Sequence, residues 1–148
     1  ITVVQSSGAA STVPVGTGCP NSLGIAPVLS AAGLPVLGNA GFGLFLTGAP
    51  PSVPVAIFVS PPSLLGPLPL PNGCAVQLDL ATTGLFASGL SNASGVLTLG
   101  IPVPGLYAFV GADLDFQGLV LDPNGPPLPG SPPLPLTLTN ALRLRLGY

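Results

Sequence analysis

Proline and glycine interrupt this chain so often that few stretches of ten residues lack both. Proline removes a helical hydrogen bond and clashes with the preceding turn, and glycine costs about 1 kcal/mol in a helix interior. Helix is therefore disfavoured nearly everywhere. The 148 residues include 21 Gly and 21 Pro, a share that in a polar chain signals disorder. Here 47% of residues are hydrophobic, and disordered chains stay open for want of apolar surface to bury. Short apolar runs cut by tight turns predict an all-β fold. The expected architecture is a two-layer antiparallel β-sandwich of about eight short strands with an N-terminal strand-like arm.

Charge is almost absent. There are 2 Lys plus Arg, 4 Asp plus Glu and no His. The basic pair is Arg143 and Arg145, and the acids are Asp79, Asp113, Asp115 and Asp122. Without His there is no Ser/His/Asp triad, and without Lys no Schiff base. Two arginines do not neutralise a phosphate backbone, so no nucleic-acid partner is expected. The sequence offers no catalytic set, no cofactor-binding set and no metal centre, and the protein is read as a non-enzyme. Asp113 and Asp115 share a strand face, where they are candidate calcium ligands or, as the alternative, a solvated face. The same pair as glycosidase acid and base lacks the aromatic sugar platform such sites need. No membrane span is expected, because Pro and Gly break the uncharged first 78 residues before about twenty apolar residues accumulate.

The chain starts at Ile1 and holds no Met, which fits either a removed leader or a fragment; a processed leader suits the rest, and an exported, extracellular or cell-surface protein is expected. Two cysteines in such a chain predict one disulfide, Cys19 to Cys74, with two buried free thiols as the alternative. Asn92-Ala93-Ser94 is the single N-x-S/T sequon, which makes Asn92 a candidate glycosylation site and covalent glycans a candidate partner. Ser6-Ser7, Ser11-Thr12 and Thr82-Thr83 are candidate O-linked positions.

Residues 1–18 read as an arm and residues 19–148 as the sandwich domain. Ile1, Thr2, Val3, Val4 and Gln5 are strand-forming, and the following SSGAAST is small and polar, like a flexible joint. Further strands are expected at Pro27–Leu37 with a turn at Ala32-Gly33, at Phe42–Thr47, Val53–Ser60, Cys74–Leu80, Val96–Ile101, Leu106–Val110, Ala112–Leu121 and Leu136–Leu146. In the last of these, Leu136, Leu138, Leu142, Leu144 and Leu146 share one parity. Thr137, Thr139, Arg143 and Arg145 share the other, and Asn140-Ala141 marks a candidate bulge.

Several short motifs recur together. Gly16–Pro51, GTGCPNSLGIAPVLSAAGLPVLGNAGFGLFLTGAPP, holds a G-x-G-C start, then P-x-L, G-x-P-x-L-G and a strand ending in G-A-P. P-L-P-x-x-x-G-C follows at Pro67–Cys74, S-G-x-L-x-L at Ser94–Leu99, and Gln117–Pro123 precedes the alternating C-terminal strand. Over about residues 16–148 the chain resembles a planctomycete-type secreted β-domain family. The resemblance implies an exported β-domain, often appended to larger proteins, with no assigned activity. The near absence of charge and the ITVVQ arm depart from that pattern.

Two functions follow as expectations. The first is a non-enzymatic structural subunit of an extracellular filament or surface layer. Its copies would join into a homopolymer by donating the strand Ile1–Gln5 to a neighbour. The arm folding back in cis, or staying disordered, are the open alternatives, and Leu136–Leu146 is the next edge in line for the contact. The second function is a cell-surface adhesion or carbohydrate-binding β-module cut from a larger exported protein.

Overall fold

The computed structural model describes residues 9–62, 66–130 and 134–148. The expected assembly strand Ile1–Gln5 and the pair Ser6-Ser7 lie outside the described residues. The described chain is an antiparallel β-sandwich. Its strands are β1 (Ser11–Val15), β2 (Val28–Ala32), β3 (Gly43–Thr47), β4 (Pro54–Ser60), β5 (Leu68–Pro69), β6 (Ala75–Val76), β7 (Gly84–Leu90), β8 (Leu97–Gly100), β9 (Asp113–Val120), β10 (Pro127–Leu128), β11 (Leu134–Pro135) and β12 (Thr137–Arg145). Eight of these reach four residues or more.

Two sheets form the sandwich. The larger runs β1-β12-β9-β4-β7 and the smaller β2-β3-β8. Between them lies the main core, which includes Leu29, Phe42, Leu44, Leu46, Ile57, Phe116 and Leu144. Alternation explains why. Phe42, Leu44 and Leu46 fall on one side of β3 and are all buried, as the period of two requires. Val55 and Ile57 of β4 and Phe116 and Val120 of β9 meet them from the larger sheet. Each such side chain contributes about 1.5–3 kcal/mol on burial. The ribbons β5–β6 and β10–β11 are paired antiparallel. A second cluster, Cys19, Cys74, Leu136 and Leu138, packs with Leu70, Val76, Leu119 and Leu128.

Four expectations are corrected. Residues 11–15 of the expected arm do not stand apart from the domain. They pair antiparallel with β12, from Ser11 opposite Arg145 to Val15 opposite Ala141, so the domain's described sheet begins well before Cys19. Leu106–Val110 is not a strand. Tyr107–Phe109 forms a single 3-10 turn where the chain crosses from β8 to β9, after Pro102, Pro104 and Gly105 have broken any ladder. The leucines of the last strand do not share a face. The register shifts between Leu138 and Ala141, so Thr139 and Asn140 together oppose Gly118. That extra residue turns Leu136 and Leu138 toward the disulfide cluster while Leu142 and Leu144 face the main core. Cys74–Leu80 also shortens, to Ala75–Val76.

Candidate functional site

The charged side chains come first, because so few exist. Arg143 stands directly opposite Asp115, and Arg145 opposite Asp113, across β12 and β9. Arg143 donates from Nε to Asp115 Oδ1 at 2.8 Å and from Nη2 to Oδ2 at 2.9 Å. Arg145 donates likewise to both oxygens of Asp113 at 2.8 Å. Both carboxylates are thus occupied in bidentate pairs, which takes from the calcium reading the oxygens it would need. Asp122 is buried and accepts from Ser22 N at 2.8 Å, Ser22 Oγ at 3.0 Å and Asn124 N at 3.1 Å. Asp79 Oδ1 accepts from Ala81 N within its own turn. Among the described residues no three His, Cys, Asp or Glu side chains gather as a metal site.

The Asp113 carboxyl is held below its ordinary 3.8, chiefly by its hydrogen bonds from Arg145. Partial burial opposes this, and the charges of Arg145 and Arg143 add to the lowering. A carboxyl whose folded pKa lies below its unfolded one contributes stability that is fully present above the unfolded value. That contribution is lost as pH falls below 3.8 and through the lowered folded value. Urea midpoints measured down the acid range should decline there, and Asp113→Asn should flatten part of the decline. An identical profile for the variant would show that this pair adds nothing.

Cys19 and Cys74 are joined by a disulfide with Cα atoms 5.0 Å apart. Cys19 N also donates to Leu138 O, so the bridge sits against the start of β12. Asn92 lies exposed in the turn between β7 and β8, its Oδ1 accepting from Ser94 N and Val96 N. Among the described residues its amide nitrogen has no hydrogen-bond partner, which leaves it presented to solvent as a sequon acceptor must be. No helix of the described residues is long and apolar enough to cross a membrane.

The four edge strands differ sharply. β1 contains Pro14, which has no N–H to offer a further strand. The edge of β2 is occupied by a side chain: Asn140 Oδ1 accepts from Leu29 N at 3.0 Å and Asn140 Nδ2 donates to Leu29 O at 3.1 Å. This amide imitates a neighbouring strand and ties the two sheets together. β8 has four residues and runs into Pro102 and Pro104. β7 has seven residues, no proline and no charge, and among the described residues its backbone pairs only with β4. Its register shifts by a bulge that brings Phe86 inward. There Phe86 meets Phe116 edge to face, with ring centroids 5.2 Å apart.

Phe86 is nevertheless 42% exposed, and Leu85 and Leu90, directed to the opposite face, are 62% and 63% exposed. Beside Phe86 an apolar cavity of about 350 Å³ runs between the sheets toward Phe42, Phe116, Leu144 and Leu146. Alternation did not reveal β7, because GLFASGL mixes Gly and Ser into both parities. Its signal was the lack of any charge or proline to blunt an edge. No protein-family model, curated protein or solved structure matches this chain.

Proposed function

We propose that the protein is a non-enzymatic structural subunit of an extracellular filament or surface layer, built from copies of itself by donation of the strand Ile1–Gln5. One observation carries this reading: Ser11–Val15, which follows the strand-forming sequence, takes the outermost position of the larger sheet. The strand-forming sequence Ile1–Gln5 thus precedes a strand that lies at a sheet edge. Charge supports the same reading. Both arginines are paired within the chain, so electrostatic complementarity has little with which to hold neighbours together. Apolar burial and backbone pairing remain. The disulfide and the exposed sequon at Asn92 support export and a glycan coat, which would also solubilise so weakly charged a surface. The resemblance to the planctomycete-type secreted β-domain family belongs to the same reading.

Removing residues 1–5 is expected to leave a folded, disulfide-bonded monomer that no longer forms assemblies in negative stain. Intact protein should assemble to the same extent from about 50 mM to about 1 M NaCl, since there are few ion pairs to screen. If the truncated chain unfolds, the arm is a core strand of its own domain. Monodisperse intact monomers that bind a glycan array would instead favour the adhesion module.

A further inference from the structure

We infer that the acceptor for the donated strand is the outer edge of β7 in a neighbouring copy. This rests on the strand-donation reading and names its other half. The inference begins from elimination. Pro14 blunts β1, the Asn140 amide takes the Leu29 position on the five-residue edge of β2, and β8 is cut short before Pro102. Among the described residues β7 alone keeps a seven-residue, uncharged, proline-free edge. Such edges pair with any compatible strand.

The side chains fit as well. In an extended ITVVQ, Ile1 and Val3 point to one face and Thr2 and Val4 to the other. The β7 edge has apolar groups waiting on both: Phe86 beside the inner cavity, Leu85 and Leu90 on the outside. A strand with an aliphatic residue on each face suits an edge that is apolar on each face. Neither partner carries a charged side chain that pairing would bury.

Reach decides between the chain's own β7 and another copy's. β1 and β7 are the two opposite ends of the order β1-β12-β9-β4-β7. Four strand spacings separate them, about 19 Å at about 4.8 Å each. Ala10 N is already bonded to Tyr148 O. If Ile1–Gln5 lie along the outer edge of β7, the span grows to five spacings, about 24 Å, and the five residue steps from Gln5 to Ala10 reach about 17 Å when fully extended. The chain therefore falls short of its own β7 even before it rounds the edge of the sheet. A neighbour's β7 has no such limit. Donor on one edge and acceptor on the other is a heterologous contact, which propagates instead of closing on itself.

The test uses full-length protein. The first variant carries Leu85→Lys and Leu90→Lys, both at exposed positions of the edge. It should melt within a few degrees of the parent and form at least ten-fold less sedimentable polymer. In a second experiment, Val3→Cys protein is mixed with Ser88→Cys protein and treated with a short bis-maleimide. Cross-links should join one chain to another, and a chain carrying both substitutions should give a ladder of covalent multimers. A doubly substituted chain that links only to itself would overturn the inference in favour of a cis arm. Polymer that persists in the lysine variant, with Val3→Cys linking to Thr98→Cys of β8, would move the acceptor and leave strand donation standing. Polymer that survives removal of residues 1–5 would overturn donation and acceptor together.

Discussion

Replacing Cys19 and Cys74 together with alanine should lower stability by about 4 kcal/mol, read as a fall in Tm of about 10–15 °C. The bridge closes a loop with a sequence separation of 55 residues, and the chain-entropy treatment gives about that value for such a closure. Position sharpens the expectation. The two sulfurs lie in the smaller cluster with Leu136 and Leu138, apart from the core between the sheets. Hydrogen exchange should therefore quicken first around β5 and β6, which lie beside Cys74, and last in β9 and the second half of β12. A loss spread evenly over both clusters would mean that the bridge holds the whole sandwich and not the Cys74 side alone. A loss below about 1 kcal/mol would mean that packing of Leu70, Val76 and Leu128 is sufficient there without the bond.

The fold class was legible because two simple signals agreed. Proline and glycine spacing removed helix, and period-two leucines placed Leu44, Leu46, Leu114 and Phe116 where the structure has them. What escaped was set by contacts that no local window contains. Asn140 gives no sign in sequence that its amide will bond Leu29, more than a hundred residues earlier. Parity along β12 was sound on each side of the bulge, yet the extra residue opposite Gly118 sent its two halves to different cores. Val13 and Val15 look like arm residues until Arg143 and Ala141 are known to lie beside them. Asp113 and Asp115 read as a shared polar face, but their partners arrive from β12, some thirty residues on. β7 went unseen because an edge strand with both faces partly open needs no alternation.

Arg143→Ala should cost about 3 kcal/mol, far more than a surface substitution, because it strands a carboxylate that is only 1% exposed. Arg145→Ala should cost less, since Asp113 keeps 23% of its side chain in solvent. These pairs also do something the leucines cannot. A one-residue slip of β12 against β9 turns every side chain to the wrong face and is rejected by the apolar pattern. A two-residue slip restores the faces, and Leu against Leu accepts it. The ions object, together with the hydrogen bonds of Gln117 and Gly118 to Thr139 and of Asn140 to Leu29. In one direction Asp113 would fall opposite Gly147, in the other Asp115 would fall opposite Ala141, and either way one pair is lost. The pairs thus help to hold β12 in register against β9. Replacing Arg143 and Asp115 together with leucine should recover most of the stability lost in Arg143→Ala, since an apolar pair of that size substitutes well for a buried ion pair. The same protein should show extra amide resonances from β9 and β12. A single set of sharp resonances would remove the register role, and a loss under about 0.5 kcal/mol for Arg143→Ala would remove the energetic one.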